Sequence, residues 1–454
     1  MKKIELSEHF TCRKLLLYSL PAIGEILATT SFELVDGWFI AFFLGVNAFA
    51  SIDLILPPLL IIFAVGYMFG TGASAVIAQY MGKDDRESGG EIFALTIAVM
   101  TLFGIIAAVI GTWQFPLLAK LVGATGVATA DAIIYGRILM ACLPAFLING
   151  AFESLWITAE KAWFGLFVAI LNGFLNVSFD WLFMGPLHGG IEGAAMATVL
   201  SNIIAAVITV LFFFGSKSTP LRFGRLRFER LRELAEVCLN GSSEIVATVA
   251  LSTTTILANR QLLHYIGENG VAAMGVFGAV MDVFLAVFMG VSSTVITIAG
   301  FKYGEKDGDE LDSFVKTTTM LVFLCGVIMC ILCVLFSGPI AWAYFNNEFE
   351  VYVLTKTVLR ISAMACILYG FDIVTSSFFT GLGDSLGSAI IAAFCELINP
   401  VAMLYALPAE FGADGLLWAT PATTVLTAVL ALLFLKFRYP GLRKEMYDDR
   451  DENS

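Results

Sequence analysis

A chain of 454 residues that is 58% hydrophobic, 13% aromatic and only 14% charged lies far below the about one-quarter charged residues of soluble globular proteins. This excludes a water-soluble fold and leaves a polytopic membrane protein. The formal net charge of −12 speaks against a nucleic-acid partner, whose phosphates call for a basic face.

The first apolar stretch, residues 15–41, is 27 residues long, more than the ~20 that a helix needs to cross a bilayer. It is too long and too acidic for a signal peptide, and no cleavage site follows it, so it is expected to stay as span one. It carries Glu25, Glu33 and Asp36. A carboxylate in hydrocarbon costs at least ~2.5 kcal/mol, so this helix must offer its acids water, a cation or a proton. Glu33 and Asp36, three apart, are expected on one face. Spans two and three follow at 54–82 and 92–119, both without a charge, and spans four to six at 131–158, 163–184 and 191–214. The stretch 217–233, containing RFGRLRFERLRE, then breaks the pattern as the most basic in the chain. Spans at 236–265, 273–303, 313–336, 354–381, 387–407 and 412–437 complete the set, and a mixed-charge tail is expected to be disordered. The eight cysteines fall almost wholly inside these spans, where they behave as small hydrophobes. Cys330 and Cys333 form a CxxC with no nearby histidine, so neither metal nor redox chemistry is expected there.

The fold class expected is therefore all-α integral membrane, with twelve transmembrane helices: an N-lobe at 1–214, a cytoplasmic linker at 215–235, a C-lobe at 236–437 and a cytoplasmic tail at 438–454. Twelve spans put both ends on one side, and 21 of the 26 Lys and Arg residues fall on that side. Only Lys120, Arg137, Arg260, Lys356 and Arg360 face the other. The bias places both termini in the cytoplasm, in a multi-pass protein of the cell membrane. The basic central loop reads as a topology anchor, with lipid headgroup contact as the lesser alternative. The halves also repeat. GASAVIAQYMGKDD matches STVITIAGFKYGEKD at an offset of 222, LGVNAFAS matches IGENGVAA at 222, and YGRILMACLPAFLINGAF around Arg137 matches VLRISAMACILYGFDIV around Arg360 at 223. Three matches in register point to two six-helix halves in tandem, related by an axis along the membrane normal.

Depth follows from a rise of 1.5 Å per helical residue. Asp36 lies ~32 Å from the inner face and Asp180 ~26 Å. Asn176 is one turn below Asp180, and Thr198 is ~10 Å down a span that descends from outside. Four oxygen-bearing side chains on three helices could thus meet in the outer part of one half. Hard cations take such oxygens, and two buried carboxylates readily share a proton. Asn176 and Thr198 could equally be interhelical hydrogen-bonding glue.

LVDGWFIAFFLG in the first span, GASAVIAQYMGKDD after the second, LNVSFDWLF in the fifth, GAAMATVLS in the sixth and TGLGDS after the tenth resemble the multidrug and toxic compound extrusion (MATE) transporters over nearly the whole chain. The resemblance implies two bundles of six helices forming a V, and export of organic cations in exchange for Na+ or H+. It also implies that Asp36, Asn176, Asp180 and Thr198 match the family's N-lobe cation site, a possible Na+ site. The family often has Tyr and Asn before the first-span Asp, where this chain has Phe32 and Glu33. Glu244 and Asp372 do not align with the acids of the NorM-type C-lobe, so a DinF-like N-lobe mechanism is expected. Glu33, Glu153, Glu244, Asp282 and Asp372 remain possible accessory acids, and Glu396 is a further intramembrane acid without a family role.

The function expected is a cation-coupled antiporter for amphipathic, mostly cationic organic compounds, held between the lobes by apolar and aromatic side chains. Its partners would be small organic cations and membrane lipids, with no cofactor beyond the coupling ion, no nucleic acid and a monomeric state. A lipid-linked precursor flippase of the same superfamily is the nearest alternative, and the acidic intramembrane charges disfavour it. An intramembrane enzyme is disfavoured too. No HExxH occurs, and His9, His188 and His264 lie near span ends or outside.

Overall fold

The computed structural model describes residues 5–121, 127–215, 219–346 and 348–448. Every regular element among them is helical. Ten continuous helices are long and apolar enough to cross a bilayer, and the pair Ala130–Ala141 with Leu143–Thr158, bent by 65°, supplies an eleventh. The last of the ten runs 63 residues from Ser385 to Tyr447, about 95 Å of helix, three times the apolar thickness of a bilayer. It breaks at Gly412 (φ 58°, ψ −138°), so it makes two spans, and the described residues hold twelve.

In order these are α1 (Cys12–Leu44), α2 (Val46–Gly82), α3 (Arg86–Leu121), α4 (Val127–Ala141 continued by Leu143–Thr158), α5 (Ala162–Met184) and α6 (Gly190–Gly215). After the linker come α7 (Leu231–Tyr265), α8 (Glu268–Glu305), α9 (Gly308–Phe345), α10 (Phe349–Leu382), α11 (385–411) and α12 (412–437). Span four is broken because Pro144 opens its second segment without an amide to donate. Span eleven carries a π turn, Phe394–Ile398, and the Thr254 hydroxyl donates to the Glu396 carbonyl within it (2.8 Å).

Backbone turns repeat with the sequence. Left-handed residues pair as Gly45 with Gly267, Asp84 with Lys306, Glu160 with Gly383, and Gly190 with Gly412, each 222 or 223 residues apart. Such a conformation costs ~1 kcal/mol or more outside glycine, so four pairs in register mark the same turn built twice. The caps repeat too. Asp85 Oδ1 accepts the Ser88 amide (3.1 Å) and Asp307 Oδ1 the Glu310 amide (3.0 Å). Bonds from the Ser88 side chain and amide hold the Asp85 carboxyl below its usual range.

Packing groups the chain into one unit of Leu20–Ile245 and another of Met1–Ser19 with Val246–Ser454, so the dividing points fall inside α1 and α7. The chain start is held in the second unit: Lys302 Nζ donates to the Ser7 carbonyl (2.9 Å), His9 meets Glu310 (2.7 Å), and the Phe10 ring meets Phe314. The N-terminal part of α7 is held in the first by reciprocal glycines. A methyl on Gly72 would overlap the Val237 carbonyl, and one on Gly241 the Met68 carbonyl. The linker also lies on the first unit, where the Gly224 amide donates to Gly90 (2.9 Å) and Arg227 and Arg230 both reach buried Glu91.

The tail is a correction to the sequence reading. Residues expected to be disordered form α13 (Tyr439–Asp448). The Tyr439 hydroxyl donates to Asp312 (2.7 Å), Arg443 reaches Asp309 and Asp312 (2.9 and 3.0 Å), and Arg438 forks onto Asp384 (2.8 Å to each oxygen). Charges that read as solvation are specific partners here. Residues 449–454 lie outside the described ones.

Candidate functional site

α1 and α5 lie side by side in the first unit. Gly24 faces Leu166, Gly173 lies under the Phe32 ring where any Cβ would overlap it, and Gly185 faces Phe43. Glycines on both helices make room for large side chains of the other, so that Leu166 and Phe32 seat against them. One turn beyond Phe32 is Asp36, and two turns beyond Gly173 is Asp180, so the packing register carries the two acids to each other. Their carboxyls come within hydrogen-bonding range. Asp180 is fully buried. Neither of its oxygens, nor Asp36 Oδ1, accepts a hydrogen bond from a protein donor among the described residues.

The polar residues expected beside them are there. Asn176 Nδ2 donates to Thr198 Oγ1 (3.5 Å), whose own hydroxyl bonds the Ala194 carbonyl (3.2 Å). Asn202 Nδ2 donates to the Thr198 carbonyl (2.9 Å), and Asn149 Nδ2 donates to Asn202 Oδ1 (2.9 Å). A tyrosine unremarked in the sequence joins the two halves of this set. Tyr135, on the first segment of α4 and 3% exposed, bonds Thr198 and lies within electrostatic reach of Asp36 and Asp180. Asn172, one turn below Asn176, also has its Oδ1 buried without a protein partner.

All four residues expected of the site thus gather in one unit. Buried carboxylate oxygens without donors are costly, and a proton between the two acids, or a small hard cation on the carboxylate, amide and hydroxyl oxygens, would satisfy them. The arrangement can bind and release a positive charge. It offers no activated nucleophile.

The other intramembrane acids sort into two further groups. Glu33 is exposed and acts on Tyr67 and Glu153. Three residues turn a helix by about 300°, and that residual angle sends Glu33 towards Tyr67 although Asp36 meets Asp180. Glu153, Glu244 and Glu25 also act on Tyr67. In the second unit Glu396, Asp372 and Asp282 act on Tyr369. Asp372 Oδ1 is buried without a protein partner, whereas Asp282 is exposed.

A family model described as MatE matches residues 21–182 and 245–404, a portion of each half. The multidrug export protein MepA of Staphylococcus aureus (strain MRSA252) is 20% identical to this chain over 421 residues, 92% of each. A solved MATE in complex with MaL6 shares the fold with a TM-score of 0.90 at 22% identity, over 98% of this chain and 100% of that one. A MOP superfamily transporter from Pyrococcus furiosus Vc1 (DSM3638), described as having a binding pocket of reverse polarity, gives a TM-score of 0.88 at 22% identity, over 98% and 99%. With its repeated halves both matched, the chain belongs to the MatE family, the multidrug and toxic compound extrusion transporters that its motifs resemble.

Proposed function

We propose that this protein exports amphipathic, mostly cationic organic compounds in exchange for H+ or Na+, with Asp36, Asn176, Asp180 and Thr198 as the coupling site and Tyr135 as its fifth member. The observation that carries the reading is the Asp36–Asp180 pair, with three buried oxygens that no protein donor satisfies. Such a pair favours whichever state supplies a proton or cation, and a ligand shifts an equilibrium only by its differential affinity for the two states. Entry of the ion from outside neutralises the pair, favours a repacked α1 and releases the drug. α1 is built to repack. Pro21 removes one backbone bond, and Ser19, Thr29 and Ser31 bond back to carbonyls four residues earlier, a habit that bends helices. The export role is also supported by the name of the MepA relative.

A flippase for pyrophosphate-linked sugars is disfavoured, because such a cargo needs basic groups in the cavity and the intramembrane charges described above are acids. Both termini are placed in the cytoplasm on the charge bias alone. The test is efflux from proteoliposomes holding purified protein, driven by a pH gradient alone and then by a Na+ gradient alone. Drug movement is expected under one of them and is lost in Asp36→Asn. Export that ignores both gradients and persists in that variant sinks the reading.

A further inference from the structure

Tyr67 on α2 stands among four carboxylates of the first unit that the coupling site does not use: Glu25 and Glu33 on α1, Glu153 on α4 and Glu244 on α7. Tyr67 as a whole residue remains 40% exposed, and its ring rests beside Gly150, which leaves room for it one turn from Glu153. Glu25 is only 8% exposed, faces Glu153, and its Oε2 meets no protein donor among the described residues. The charges that act most strongly on Tyr67, Glu25 and Glu153 are those of carboxylates. Glu25 and Glu33 are eight residues apart on nearly the same stripe of α1, about 12 Å along its axis.

We propose that the Glu25, Glu33, Tyr67, Glu153 and Glu244 cluster is a cargo site that selects for dications, linear organic compounds with a positive charge near each end. One charge lies by Glu25 and Glu153, the other by Glu33, and the Tyr67 face between them takes a quaternary ammonium by cation–π attraction. A monocation meets only one of the two ends. This rests on the export reading above and adds the charge count of the cargo to it.

The test is calorimetric binding of octamethonium and of octyltrimethylammonium, the same chain with one charge, to the full-length protein in neutral-lipid nanodiscs. Octamethonium is expected to bind about tenfold or more tightly than its single-charge counterpart. Glu153→Gln should bring that ratio to within about twofold while the monocation's own affinity changes little. Glu244→Gln, on another helix, serves as the second variant and should act in the same direction. Equal binding of the two probes to the wild type, or a ratio that survives both substitutions, overturns the inference while leaving ion-driven export standing. Absence of gradient-driven transport of either compound, with no binding of either, removes the export reading and the inference together.

Discussion

At the scale of single residues, Asp36 and Asp180 were legible because an acid in an apolar run needs a reason, and helical rise alone puts both at one level. Tyr135 was not. A tyrosine near a span end reads as an interfacial aromatic, and only the packing of α4 against α6 turns its hydroxyl to Thr198. Asn172 carries no signal of its own in the sequence, because an amide between helices reads as glue. Spacing puts Glu33 on the face of Asp36, yet it acts on Tyr67 and Glu153. The close carboxyl pair makes a specific demand on kinetics. Two acids in hydrogen-bonding range titrate jointly, so loss of either disrupts one event. Asp36→Asn and Asp180→Asn should each abolish ion-driven export, and the double variant should be no worse than either, as for residues acting as a unit. Flux in proteoliposomes, with size-exclusion profiles to confirm folding, decides it. Losses that multiply in the double variant would separate the two acids and move coupling to the Tyr369 group.

At the scale of elements, all twelve spans could be read from apolar runs, but their breaks and crossings could not. Hydropathy carries no register between helices, so the 65° bend at Cys142, the π turn around Glu396 and the contact of α2 with α7 appear only in the fold. In the sequence Gly72 and Gly241 look like any of the 41 glycines. In the structure each lies on a carbonyl of the other helix. Gly241→Ala must push backbone away, which costs about 1–3 kcal/mol as overpacking does. Gly278, on α8, has open space where a Cβ would go, so Gly278→Ala should be neutral or stabilise by up to ~1 kcal/mol through helix propensity. Thermal unfolding in detergent should lower the melting temperature of the first variant and hold or raise that of the second. Equal shifts would mean that the α2–α7 crossing is looser than its carbonyl contacts require.

At the scale of the whole molecule, the offset of 222 was visible in three short matches, and the paired left-handed turns and helix caps carry the same offset into the backbone. Less visible is how each half is closed at one end. The segment after α6 returns to the start of α3, where Arg227 and Arg230 reach Glu91 (2.9 and 2.8 Å); the segment after α12 returns to the start of α9, where Arg443 reaches Asp312 and Asp309. Charge patterning finds both segments but not their partners, since a mixed-charge run fits solvent as well as it fits a clasp. The two clasps are alike in topology and differ in burial. The Glu91 side chain is 2% exposed, whereas those of Asp312 and Asp309 are 35% and 98% exposed. A buried charge left without its partner is destabilising by ~3–5 kcal/mol, although Arg227 and Arg230, 48% and 19% exposed, keep enough water to reduce that to about 2 kcal/mol for Glu91→Gln. An exposed pair is worth at most ~1 kcal/mol, so Arg443→Gln should cost little, and added salt should remove even that. Melting temperatures of the two variants at low and high salt separate these outcomes: a large, salt-insensitive loss is expected for Glu91→Gln and a small, salt-sensitive one for Arg443→Gln. Equal losses would show that burial does not set the strength of the clasps, and that the linker and the tail hold their halves by packing of Phe223 and Tyr439 instead.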